Sequence, residues 1–122
     1  MTKTLYILRH EKAASSPDGQ DQSRPLSPEG CRDARALGVW LTARDFSPDI
    51  ILCSPTRRTR ETCAALCGEA AVQYPERLYL ATAGMLYEMI GRQEDDKASL
   101  LLVAHNPGVH ELVKFLTGSG AP

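Results

Sequence analysis

A chain of 122 residues with 43% hydrophobic and 24% charged residues has the length and composition of one folded domain, residues 1–122, and is too short for two. Its formal net charge of -1 excludes a global field that would recruit nucleic acid or an anionic membrane, so any anion binding has to be local. No apolar run is long enough for a membrane span or signal peptide, and a cytoplasmic location is the default expectation.

The first element is the apolar run Leu5-Tyr6-Ile7-Leu8, which ends abruptly in Arg9-His10. Such a run reads as a strand over 5–9, buried on both faces as in parallel sheets. In open α/β sheets ligands bind beyond the carboxyl ends of the strands, where Arg9 and His10 stand. A polar loop over 15–23 follows, with Pro17, Asp18 and Gly19, and its length beside a suspected site marks it as functional. Arg24-Pro25-Leu26 comes next, and Arg24 is a candidate to reach back toward Arg9 and His10.

Ser27-Pro28-Glu29 is a helix start, with a capping serine, proline at the first helical position and an acid in the first turn. Ala34, Leu37, Trp40 and Leu41 recur at helical spacing as the inward face, and the helix is expected to end near Asp45. Ile50-Ile51-Leu52-Cys53 is a second buried strand, parallel to the first. Ser54-Pro55 repeats the cap-then-proline device and opens a helix over 56–67 that Gly68 closes. The first turns of this helix carry Arg57, Arg58 and Arg60, cations where the helix dipole disfavours them, so a bound anion is expected to offset that cost.

Residues 72–74 read as a short strand, and 82–92 as a helix with Met85, Leu86, Met89 and Ile90 inward. Glu94-Asp95-Asp96-Lys97 is an exposed connection. The third strand, 100–104, ends in His105, so two of the chain's three histidines directly follow a buried-type run. His105-Asn106-Pro107 gives a third cap, and Val109, Leu112, Val113 and Leu116 make the last helix amphipathic up to Gly118. Cys31, Cys53, Cys63 and Cys67 lack the spacing of a zinc site and read as reduced thiols packed as small hydrophobes.

Two arginines and two histidines converging on helix N-termini suit a tetrahedral dianion. Arginine grips phosphate oxygens in pairs and stays charged, and a neutral imidazole can attack phosphorus to give a covalent phosphohistidine. Arg9 and Arg58 would disfavour a protonated His10. No acidic cluster accompanies these residues, so neither a metal nor another cofactor is expected.

These residues carry a resemblance. Leu8-Arg9-His10-Glu11-Lys12-Ala13 resembles the RHG/RHxK signature of the histidine phosphatase (phosphoglycerate-mutase-like) superfamily. Arg24-Pro25-Leu26-Ser27-Pro28-Glu29-Gly30 resembles its R-P-L-x-x-x-G. The stretch Ser54-Pro55-Thr56-Arg57-Arg58-Thr59-Arg60-Glu61-Thr62 is similar to S-x-x-x-R-A-x-x-T, with Thr59 in place of the usual alanine. Val103-Ala104-His105-Asn106-Pro107-Gly108 is similar to the second-histidine motif. The resemblance implies a three-layer α/β/α fold with a mostly parallel central sheet. It also implies a site in which His10, Arg9, Arg58 and His105 are catalytic and Arg24 and Asn106 bind substrate. The short middle segment resembles the SixA-like phosphohistidine phosphatases, which implies a phosphorylated protein, a phosphohistidine carrier or phosphorelay domain, as partner. A small phosphate ester is the alternative substrate, and a non-catalytic phosphate-binding module the alternative of another class. Larger relatives place a carboxylic acid in the middle segment. Here only Glu76 and Glu88 are available, and both read first as surface carboxylates. Members of the family continue past the last helix with a further strand where this sequence has Gly120-Ala121-Pro122, so by the resemblance either the sequence is a truncated one or its sheet has an uncovered edge.

Overall fold

The three apolar runs pair into one parallel sheet. In the computed structural model, which describes residues 3–10, 13–67, 71–93 and 97–118, they form β1 (Thr4–Arg9), β2 (Ile50–Cys53) and β3 (Ser99–Ala104). The sheet order is β1-β3-β2, so the last of these strands in sequence lies between the first two. Arg9 is level with Ala104 and Cys53 with Val103. This register brings the next residue of each strand, His10, Ser54 and His105, to the same edge of the sheet. The backbone bonds continue past the strands, with the amides of His10 and Ser54 donating to the carbonyls of Ala104 and Val103 at 3.3 and 2.9 Å. Outside β2, Gln73 adds a single parallel bridge to Leu52, less than the short strand expected over 72–74.

Alternation along β3 feeds two cores. Leu100, Leu102 and Ala104 pack with Ile50, Leu52, Leu78, Leu86, Val109 and Leu112 on one face. Leu101 and Val103 pack with Ile51, Cys53 and Cys63 on the other. The first face is covered by α3 (Ala83–Gly91) and α4 (Gly108–Thr117), the second by α2 (Arg57–Cys67), with α1 (Pro28–Thr42) packed on α2. The result is a three-layer α/β/α sandwich. Burying one leucine in such a core stabilises the fold by roughly 1.5–3 kcal/mol, and Leu102 and Leu112 are both fully buried. β1 departs from the expected burial on both faces. It pairs only with β3 among the described strands, and Thr4, Tyr6 and Arg9 are exposed.

Ser27 caps α1 as expected, its hydroxyl accepting from the Gly30 amide at 2.9 Å. The inward face of α1 differs from the expected one. Gly30, Ala34 and Gly38 are buried, whereas Trp40 is exposed and is covered by the Arg44 guanidinium 3.6 Å above its ring. Small residues let α1 and α2 approach closely: a Cβ on Gly38 would lie 2.3 Å from the Ala65 carbonyl oxygen. The helix also ends at Thr42, short of Asp45. In α2 the capping role falls to Thr56, whose hydroxyl accepts from the Thr59 amide at 3.4 Å, leaving Ser54 for another partner. Thr82 caps α3. Pro107 precedes α4, and the Asn106 side-chain carbonyl accepts from the His110 amide at 3.1 Å. Gly118 ends α4 in the left-handed region, at φ 66°. Val109 and Leu112 are buried, but Leu116, expected inward, is exposed. Four thiols are free, as expected, with Cys53 and Cys63 buried. Glu11, Lys12, Gly68, Glu94 to Asp96 and the Gly120-Ala121-Pro122 tail lie outside the described residues.

Candidate active site

The common end of the three strands supplies His10, Ser54 and His105, and the first turn of α2 supplies Arg58. Arg58 is only 5% exposed, so its charge needs partners inside the protein. Its Nε donates to Nε2 of His10 at 3.2 Å, and its Nη2 lies 3.5 Å from Nδ1 of His105. Nη1 donates to the Asp21 backbone carbonyl at 2.7 Å and Nη2 to Asp21 Oδ2 at 3.0 Å. The two imidazole rings stand 5.3 Å apart, centroid to centroid.

These contacts assign the proton positions. A guanidinium only donates, so Nε2 of His10 and Nδ1 of His105 present lone pairs to it. Nε2 of His105 then carries the proton and donates to the Ser54 hydroxyl at 2.7 Å. Burial, followed by the electrostatic influence of Arg58 and His10 and a smaller effect of Arg9, lowers the pKa of His105 from 6.5 to about 4, with Asp21 opposing. Both effects disfavour a cation in a site already rich in them. Thr59, the departure from the family's usual alanine, donates to the Ser54 carbonyl at 2.6 Å and so ties the start of α2 to the end of β2.

Arg9, at the end of β1, is exposed at the rim, and its charge reaches His105. Arg57 and Arg60 turn away. Arg57 pairs with Glu61 at 3.4 Å, and Arg60 donates to the Pro55 carbonyl at 3.0 Å and lies over the Tyr74 ring. Arg24 binds the Ala14 carbonyl and Asp21 Oδ1, at 3.1 and 3.2 Å, one residue removed from Arg58. Asn106 is exposed beside His105 and shares with it a cleft of about 440 Å³ that extends to Leu80, Gly84 and Glu111. Glu76 borders a second cleft of about 470 Å³ with Tyr79, Gln22 and Arg60. Glu88 pairs with Arg92 on the exposed side of α3.

Three residues of the site escaped the sequence reading. Asp21 lies in the loop singled out over 15–23, but nothing distinguished it there from Asp18. The loop is held by the Ala14 amide on the Pro25 carbonyl at 2.8 Å and by the Leu26 amide on Glu61 at 2.8 Å, which fixes Asp21 against Arg58. Tyr79, in a segment without periodicity, donates its hydroxyl to Asp21 Oδ2 at 2.6 Å and meets the His105 ring edge-on at 5.7 Å. Ser54 reads as a helix cap until its hydroxyl is seen on His105. Asp21 is lowered to about 2, first by the Tyr79 hydroxyl and then by Arg58 and Arg24, against its partial burial. Among the described residues no three His, Cys, Asp or Glu side chains gather as metal ligands. No helix there is long and apolar enough to cross a membrane.

Residues 5–96 match the model of the histidine phosphatase superfamily, branch 1. An uncharacterized protein of Mycobacterium tuberculosis H37Rv is 44% identical over 110 residues, spanning 89% of this chain and 69% of that one. The phosphohistidine phosphatase SixA of Escherichia coli K12 is 29% identical over 125 residues, 97% of this chain and 76% of that protein. A structure of the protein histidine phosphatase SixA complexed with tungstate superposes with a TM-score of 0.79 at 25% identity, covering 90% of this chain and 74% of that one.

Proposed function

The chain belongs to the histidine phosphatase superfamily, in its SixA-like branch, and from that premise we propose that it hydrolyses phosphohistidine on a protein through a covalent intermediate at His10. The observation that carries this reading is the Nε2 lone pair of His10, held 3.2 Å from the Nε of a buried arginine that also faces His105. A SixA structure is complexed with tungstate, a tetrahedral oxyanion, which supports a phosphoryl group as what this chain handles.

In the first step Nε2 of His10 attacks phosphorus and the bond from phosphorus to the leaving nitrogen breaks. The electron pair leaves with the substrate imidazole, which takes its proton from water. In the second, water attacks phosphorus, the bond to His10 breaks, and the water's proton goes to the phosphate released. Arg58 and Arg9 balance the charge that spreads over the phosphoryl oxygens. His105, neutral in the empty site, gains proton affinity when a dianion arrives, and then stabilises that charge as a donor. No carboxylic acid is required, because an imidazole departs without the strong base that an alkoxide would be.

The test is a panel of a phosphohistidine protein, a sugar phosphate and an aryl phosphate, with ³²P trapping of the enzyme. The phosphohistidine protein is expected to be the best substrate, with acid-labile label on His10 and none on the His10→Ala variant. Activity is expected to survive a chelator and to be inhibited by vanadate. Turnover by His10→Ala, or activity restored only by added magnesium or zinc, contradicts the mechanism. Phosphate binding without turnover of any compound would make the protein a binding module.

A further inference from the structure

The bonds of Arg58 divide its guanidinium into two edges. One edge, Nη1 and Nη2, is taken by Asp21 through its carbonyl at 2.7 Å and its Oδ2 at 3.0 Å. The other, Nε and Nη2, faces His10 and His105. Either edge of a guanidinium can grip an oxyanion at two points. Asp21 therefore does not occupy the edge that looks at the nucleophile, where the two imidazoles stand and a phosphate would be met. A carboxylate standing in for phosphate would lie on that second edge, between the imidazoles, and Asp21 does not.

Asp21 is itself held on both oxygens. Tyr79 donates to Oδ2 at 2.6 Å and Arg24 to Oδ1 at 3.2 Å, and Arg24 is anchored on the Ala14 carbonyl. We infer that Asp21 is a positioning residue, gripping one end of Arg58 so that its other edge is aimed at the phosphoryl group, with Tyr79 as the lock on Asp21. The inference rests on the proposed phosphoryl-transfer pocket but not on the leaving group, so it is independent of whether phosphohistidine is the substrate. The carboxylate of Asp21 stays ionised down to about pH 2, which fits a permanent anchor and not a proton donor.

The experiment measures kcat and KM on a small aryl phosphate for Asp21→Asn, Tyr79→Phe, Arg58→Lys and the double variants. Asp21→Asn is expected to lower kcat roughly 10- to 100-fold, the scale of a misplaced positioning group, with KM changed little. Tyr79→Phe is expected to lower kcat less. In the Asp21→Asn background Tyr79→Phe should cost nothing further, and in the Arg58→Lys background neither should, because each acts only through Arg58. A merely structural role would lower the melting temperature and give independent, multiplying losses. Wild-type kcat in Asp21→Asn, or multiplying losses, overturns the inference. If Asp21→Asn fails to melt cooperatively, Tyr79→Phe alone has to show the kcat loss at unchanged KM, and its absence is equally decisive. A wild type that cleaves the aryl phosphate but no phosphohistidine protein removes only the proposed substrate. A wild type inert on every phosphate compound removes the reaction and this inference with it.

Discussion

Nε2 of His105 donates to the hydroxyl of Ser54 at 2.7 Å, and both residues are buried. The bond selects which imidazole nitrogen carries the proton and leaves Nδ1 for Arg58. In Ser54→Ala that buried donor has no acceptor, which costs about 1–3 kcal/mol and frees the ring to adopt the other tautomer. We expect kcat to fall by about a hundredfold, the lower end of acid–base effects. ¹⁵N chemical shifts of His105 report the tautomer directly, and unchanged shifts in the variant would remove this role from Ser54.

Stability should fall with acid in two stages. His105 binds its proton near 6.5 when unfolded and only near 4 when folded, chiefly because it is buried. Between those values the unfolded chain holds more protons, so stability present above pH 6.5 is lost as the pH drops toward 4, by at most about 3 kcal/mol. Asp21, at about 2 folded against 3.8, adds a smaller loss below pH 3.8, reduced by its solvent exposure. Melting temperature against pH should show the upper stage flattened in His105→Gln and the lower one retained. A wild-type melting temperature constant from pH 7 to 4.5 would contradict the assignment.

Glu76 separates the two substrate classes. It borders a polar cleft with Tyr79, Arg60 and Gln22, where a small polar ester would find a carboxyl group. Glu76→Gln and Glu88→Gln are expected to change turnover of a phosphohistidine protein little. A loss of about a hundredfold in Glu76→Gln, the usual scale of general-acid help, would make Glu76 the acid and a small phosphomonoester the better substrate.

Gly38→Ala should destabilise the protein although alanine favours helix. The propensity gain is roughly 1 kcal/mol, but the new methyl would meet the Ala65 carbonyl oxygen at 2.3 Å, backbone that cannot rotate aside. Forced overpacking costs about 1–3 kcal/mol. Gly91→Ala, where nothing lies within 4 Å, is the control and should be neutral or stabilising. Equal melting temperatures for the two variants would show that α1 and α2 can separate at little cost.

What the sequence revealed about this protein follows from what apolar patterning encodes. His10 and His105 stood out because strand ends are visible as abrupt changes of polarity. Arg58 stood out because cations at a helix N-terminus contradict the dipole. Asp21, Tyr79 and Ser54 owe their roles to partners far away in the chain, and each is an ordinary loop or cap residue by itself. The outward Trp40 has a related cause. Helical spacing finds the apolar stripe of α1, whereas the neighbouring helix selected the stripe of small residues through Gly30, Ala34 and Gly38. The exposed positions in β1 reflect a place at the rim of the sheet, which a run of apolar residues does not disclose.

The order β1-β3-β2 bears on how the molecule comes into being. A ribosome releases β1, α1, β2 and α2 before β3, and among the described residues β2 has only the bridge from Gln73, and β1 no partner strand, until β3 slides between them. The nascent chain thus carries two incompletely paired apolar strands until β3 is made, a state that invites association with other chains. Sheet and nucleophile pocket appear together, when Ser99–Ala104 has left the exit tunnel and delivers His105 in the same event.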